Sequence, residues 1–179
     1  LMTWVRYHEV KVHGYLEWWK QGGPAPEFKS RAPHEVSPSA TLVWGLQGAL
    51  EDVLAEGLEK RIERHSIAGR AVRQGIEAFG LSIVAENEDI ASDVVTVVRL
   101  PKDIKERDFR EYLLKTHHLA LGNGEIGDDN VRIGTMGITA NAKYILPTLA
   151  AFGKGLLQFG VTVDVEAGLC AACKVLYSK

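Results

Sequence analysis

Apolar residues recur at helical spacing over two long stretches of the first half of the chain. Leu42, Val43, Leu46, Ala49, Leu50, Val53 and Leu54 share one face of a helix that Ser37 and Pro38 can start. The serine hydroxyl can accept an orphan N–H of the first turn, and proline at the first helical position has no donor to lose. Gly57 marks a joint. Beyond it Leu58, Ile62, His65, Gly69, Val72, Ile76 and Phe79 form a second stripe, opposite a face carrying Glu59, Lys60, Arg61, Glu63, Arg64, Arg70 and Arg73. Gly80 stands where a helix ends in the left-handed conformation.

The period then shortens. Residues 81–85 read as a strand, and 93–100 as a stronger one, with Val94, Val95, Val97 and Val98 before Pro101. Asp103 and Glu106 have the spacing of a capping box, for a helix that buries Phe109, Tyr112, Leu113 and Thr116. A short strand is predicted at 118–121, a turn at Gly122, Asn123 and Gly124, and a strand over Asn130–Gly134 with a tight exit to Gly137. Thr139 or Asn141 caps a helix running to Gln158, in which Pro147 predicts a late start or a kink. A strand-like piece at 160–165 and a helix at 166–176 close the chain. This order predicts an α+β fold, a small and mostly antiparallel sheet with helices on one face. Residues 1–36 are poorly patterned. Their aromatics (Trp4, Tyr7, Tyr15, Trp18, Trp19) belong either to a short amphipathic helix over the core or to contacts outside this chain.

Charge narrows the partners. With 21 Lys+Arg against 23 Asp+Glu the net is -2, which gives no reason to expect nucleic acid or an anionic membrane. No run approaches the roughly 18 apolar residues of a membrane span. Leu1 to Arg6 lack the charged and apolar regions of a signal peptide. Cys170 and Cys173 are the two cysteines, too few for a disulfide framework, and they fit a reducing, cytoplasmic setting.

Few residues suggest chemistry directly. The chain has no P-loop, GxGxxG, HExxH or GxSxG. Cys170 and Cys173 have CxxC spacing without further ligands nearby, so no metal site is expected and both read as small core residues. His117 and His118 precede a predicted strand and would face opposite ways, one exposed and one half-buried. His65, on the apolar stripe, reads as a satisfied core histidine. Arg132 sits between Val131 and Ile133, just before a glycine exit. It is either a surface arginine, the commoner case, or a guanidinium aimed into a cleft where its fork can grip a carboxylate. His34 to Pro38 lead into a helix N-terminus, which serves as plain capping or as an anion site.

Taken together, several runs are similar to a known family. Ser37-Pro38 before a long helix, then Leu58-Glu59-Lys60-Arg61-Ile62-Glu63-Arg64-His65, then Gly75-Ile76-Glu77-Ala78-Phe79-Gly80-Leu81, then Val131-Arg132-Ile133-Gly134-Thr135-Met136-Gly137, resemble the class V pyridoxal-phosphate aminotransferases of the alanine–glyoxylate and serine–pyruvate group. Gly168-Leu169-Cys170-Ala171-Ala172 resembles that family's small-residue C-terminal helix. The resemblance covers 37–177 closely and 1–36 loosely.

It implies the C-terminal part of an aspartate-aminotransferase-like (fold type I) enzyme. Residues 1–56 would be the tail of the large cofactor-binding domain, and 57–179 the small α+β domain. The cofactor would be pyridoxal 5'-phosphate. No lysine here stands in the context of the family's cofactor lysine, which would precede Leu1, so the chain alone is expected to be inactive. Arg132 matches the arginine that holds the substrate carboxylate. Ser37 matches a threonine, and His34 a tyrosine, that reach the cofactor phosphate of the neighbouring subunit. A homodimer is implied, moving an amino group from serine or alanine to an oxo acid such as glyoxylate or pyruvate. A lyase or desulfurase of the same superfamily is the first rival, but those carry a cysteine before the arginine, and Gly122 to Asn130 has none. A non-catalytic α+β interaction module is the second.

Overall fold

The computed structural model describes residues 40–124 and 129–178, in two compact units, Leu1–Ala55 and Glu56–Lys179. His34, Ser37 and Pro38 lie outside the described residues. In the first unit the described part is residues 40–55, all in helix α1 (Ala40–Glu56), whose last residue belongs to the second unit. Its stripe is formed as the spacing predicts, and Leu42, Trp44, Leu46, Leu50 and Leu54 are all exposed.

The second unit opens on α2 (Leu58–Ala78), entered through Gly57 at φ 86°. Ala68, Val72 and Ile76 bury its central turns, while Leu58 and Ile62, predicted on the same stripe, are exposed. Gly80, at φ 78°, closes the helix by donating its N–H to the Glu77 carbonyl. The chain continues through β1 (Val95–Arg99), α3 (Glu106–His117), β2 (Gly122–Asn123), β3 (Asn130–Gly134), α4 (Ala142–Gln158) and α5 (Val165–Leu176). The three strands form an antiparallel sheet in the order β1-β3-β2. This is the α+β architecture that the sequence predicts.

Register places Thr96 opposite Ile133 and Val98 opposite Val131. All four are buried, so this face of the sheet lies on the core. Alternation sends Val95, Val97 and Arg132 to the other face, where they are half-buried. Phe109 of α3 anchors the core between Phe152 of α4 and Phe159 just beyond it, edge to face with ring centroids 5.1 and 5.6 Å away. Helices α2, α4 and α5 approach closely because glycine stands at their crossings. A Cβ on Gly75 would lie 2.6 Å from Leu149 Cδ1, and one on Gly168 would overlap the Phe79 ring. The small-residue run of α5 is therefore a packing requirement.

Several local expectations are corrected. Residues 81–85 make a single bridge, Ile83 to Val98, with Val84 donating to the Val97 carbonyl at 2.9 Å. Asp103 does not cap α3. Residues 101–104 form a turn, buried at Ile104, and Lys105 becomes the N-cap, while Glu106 pairs with Arg110. Thr116 is exposed. Residues 118–121 are not a strand. His118 turns left-handed at φ 53° and donates its N–H to Leu114, ending α3, so pairing starts only at Gly122, which was expected in a turn. Pro147 neither delays α4 nor sits on its buried side. It is exposed, where the carbonyl it leaves unbonded can face water. Residues 160–165 are not a strand either, because Gly160 and Val161 close α4 and α5 begins at Val165. Cys170 points outward, since Gly168 and Ala172 form the buried side of α5.

Candidate active site

Arg132 sits at the centre of β3, the middle strand, flanked by Val97 of β1 and Gly122 of β2. It is half-buried on the face turned away from the core. Its side chain lies across β2: the position that a Cβ would take on Gly122 is 2.8 Å from Arg132 Nε and 3.2 Å from Nη2. A planar, permanently charged fork in this place can pair with both oxygens of a carboxylate.

The chain leaves β3 through Gly134 and makes a 3-10 turn over Gly137–Thr139, with Gly137 at φ 57°. Helix α2 grips this turn. His65, buried, accepts the Gly137 N–H at its Nε2 (2.9 Å). Its Nδ1 faces the Arg61 carbonyl at 2.6 Å, and since a carbonyl only accepts, Nδ1 is the donor of that contact. Arg64 donates from Nη1 to the carbonyls of Gly137 (2.8 Å) and Ala140 (2.9 Å). Its Nε and Nη2 donate to Glu56. On the far side Thr135 Oγ1 donates to the Asp93 carbonyl (3.0 Å) and Thr135 N–H to that of Val94 (2.8 Å). The exit of the arginine strand is thus tied down from both sides.

His65 is the satisfied core histidine that its position predicts. The sequence places Arg64 on the charged face of α2 and does not announce its role at this turn. The available signal was the pairing of two runs, Arg61 to His65 and Gly134 to Gly137, which the fold brings together. His117 is half-buried and His118 exposed, as expected, although at a helix end rather than a strand start. Among the described residues no group of His, Cys, Asp or Glu could hold a metal ion, and no helix is long and apolar enough to cross a membrane. A cavity of about 190 Å³ lies under the end of β3, lined by Ile133, Thr135, Tyr144 and Thr148 among others. It belongs to the core side of the sheet, away from Arg132.

The hydrogen bonds from Arg64, helped by Arg61, hold the Glu56 carboxyl well below its ordinary range, at about 2. A carboxyl whose pKa is depressed by folding adds stability above its unfolded value, and this is lost as acid carries the pH down through the folded value. Glu56→Gln is therefore expected to lower stability at neutral pH, with the gap to wild type closing between pH 4.5 and about 2. Denaturant unfolding at neutral and acid pH checks this, and a gap independent of pH would contradict it.

Lysines bear on the cofactor. Lys60, Lys102, Lys105, Lys115, Lys143, Lys154 and Lys174, the lysines among the described residues, are all exposed. Among the described residues Arg132 offers a fork suited to a carboxylate on the sheet face away from the core, while the lysines lie at the surface.

No family model matches the chain. An uncharacterized aminotransferase of Methanocaldococcus jannaschii is 35% identical over 152 residues, 84% of this chain and 38% of the relative. Serine–glyoxylate aminotransferase of Arabidopsis thaliana is 32% identical over 164 residues, 90% of this chain and 38% of the relative. The crystal structure of pyridoxamine–pyruvate aminotransferase from Mesorhizobium loti superposes with a TM-score of 0.76 at 33% identity, over 80% of this chain and 37% of that one. The chain thus spans less than half the length of the relatives it matches, and the matches fall on their C-terminal portion. The chain's homologues are aminotransferases of the alanine– and serine–glyoxylate type, and its neighbours among solved structures are class V pyridoxal-phosphate aminotransferases, matched on their C-terminal portion.

Proposed function

We propose that this chain forms the substrate-carboxylate side of an aminotransferase that moves an amino group from an amino acid of the serine or alanine type to an oxo acid such as glyoxylate or pyruvate. The observation that carries this reading is Arg132: a half-buried guanidinium on the middle strand, on the face away from the core, with its strand exit fixed by His65, Arg64 and Thr135. Pyridoxal phosphate supplies the group on which nitrogen rests between donor and acceptor. The protein's part here is to hold the α-carboxylate of each substrate in one orientation, so that the same carbon is presented in both half-reactions.

The cofactor lysine lies outside these residues in this reading, a view supported by the exposure of every lysine described. Residues 1–56 belong to the cofactor-binding domain and 57–179 to the small domain. Ser37 and His34 reach the phosphate of a neighbouring subunit's cofactor. The working form is a homodimer, and the exposed leucines of α1 support its having a further surface to cover. The two unpaired cysteines support a cytoplasmic location.

The test is amino transfer by the enzyme that contains this chain, with serine and alanine as donors and glyoxylate and pyruvate as acceptors. Transfer is expected there. The 179-residue chain alone is expected to take up no stoichiometric, covalently attached pyridoxal phosphate. Absence of transfer by the whole enzyme would overturn the reading. Attachment removed by replacing one lysine of this chain would overturn its cofactor part.

A further inference from the structure

We propose that Gly122 is a positioning residue for Arg132: the side chain missing from the edge strand leaves the space in which the guanidinium lies. The proposal rests on the reading of Arg132 as the carboxylate clamp. Gly122 and Arg132 are direct cross-strand partners, so their side chains share a face of the sheet. On the opposite flank Arg132 is partnered by Val97, whose branched side chain shares its face of the sheet. The arginine lies the other way, across β2. There a Cβ on residue 122 would stand 2.8 Å from Nε, 3.2 Å from Nη2 and 3.4 Å from the arginine Cβ. The first distance is well inside van der Waals contact, so any side chain at 122 pushes the fork off its line.

Backbone conformation does not explain the glycine. Among the described residues the glycines in the left-handed region are Gly57, Gly80, Gly137 and Gly160, and Gly122 is not one of them. An L residue fits its backbone, and the obstacle is the arginine. Glycine inside a strand weakens pairing and often marks close approach of another group. Here that group is the Arg132 side chain. Nε and Nη2 both lie against this gap, so filling it turns the plane of the guanidinium and with it the direction from which a carboxylate meets both N–H groups.

The experiment compares Gly122→Ala, Arg132→Ala and the double variant in the enzyme that contains this chain. Donors with a carboxylate are set against the corresponding amines without one. A misplacement of about 1 Å can cost on the order of 100-fold. Gly122→Ala is therefore expected to lower kcat/KM for amino-acid donors by roughly 10- to 100-fold, mainly through KM, and to leave the amines nearly unchanged. In the Arg132→Ala background the same substitution should add nothing, because the clashing group is gone. Two readouts are independent of turnover. Calorimetry should show weaker binding of propionate to Gly122→Ala, and its crystal structure should show the guanidinium displaced from β2. An equal loss in both backgrounds, an equal loss on the amines, or an undisplaced guanidinium would overturn the proposal. If Gly122→Ala fails to fold while the double variant folds, the clash with Arg132 is supported, and failure of both would overturn it. Unchanged transfer by Arg132→Ala would instead overturn the clamp reading, and with it any positioning role for Gly122.

Discussion

Arg132→Ala in the enzyme that contains this chain is expected to lower kcat/KM for amino-acid donors by roughly 30-fold to several thousandfold. The figure follows from truncating one partner of a desolvated, hydrogen-bonded charge pair, which costs about 2–5 kcal/mol, at about 1.4 kcal/mol per tenfold in rate. Arg132→Lys keeps the charge but loses the fork, so its loss should fall between that of alanine and wild type. Amines without a carboxylate never use the arginine and should lose far less with either variant. That contrast separates a clamp from a structural arginine, whose removal would lower stability and slow all substrates together. Steady-state kinetics on matched donors decide it. Near wild-type transfer of carboxylate donors by both variants would remove the main reason for placing the active-site cleft beside β3.

The elements that the sequence revealed best are those whose cause is local. The strand Asn130–Gly134 has its predicted bounds because alternating branched residues and a glycine exit specify it within five residues. The closing helix was read within one residue, and Asn141 caps α4 as one of two candidates for that place. What the sequence hid depends on groups distant along the chain. His118–Leu121 has apolar residues that suit a strand, but the end of α3 claims them: Leu119 donates its N–H to Leu113 to close the helix. Gly122 looked like a turn residue because its partner, ten positions on, is set by sheet register rather than by its neighbours.

The site shows the same division. The Arg132 strand and its glycine exit were legible, and so was the buried His65. Arg64 was not, since the carbonyls it holds are backbone groups 73 and 76 positions away, which no side-chain pattern announces. Arg73 is the sharpest correction. The sequence places it with Arg70 on the charged face of α2, yet it is 2% exposed, one turn beyond the buried Gly69. A charge on a helix reads as solvated until its partner is known, and the partner here is a loop residue fifteen positions on.

Breaking the Arg73 pair is expected to have the largest effect on stability. Arg73 Nε donates to both Glu88 oxygens (3.0 and 2.9 Å), and its Nη1 to the Ser92 carbonyl (2.9 Å). Nη2 donates to Glu88 Oε1, with Asp93 at 3.6 Å. Removing one member of a buried pair costs about 3–5 kcal/mol, because the other charge stays buried. Glu88 is half exposed and Asp93 remains nearby, so Glu88→Ala should fall at the low end, about 3 kcal/mol. Arg73→Met removes the buried charge itself, and the Glu88 carboxylate it leaves behind is half exposed and can be solvated. Glu88→Ala should therefore cost little in the Arg73→Met background. Denaturant unfolding of the four proteins checks this through midpoints at unchanged slope. A cost for Glu88→Ala that is the same with and without Arg73 would show that the pair is not what holds the 88–93 loop. That loop carries the Asp93 carbonyl to which Thr135 is tied, one residue beyond the Arg132 strand. Loosening it should slow carboxylate donors and plain amines alike, the opposite signature to that of Arg132.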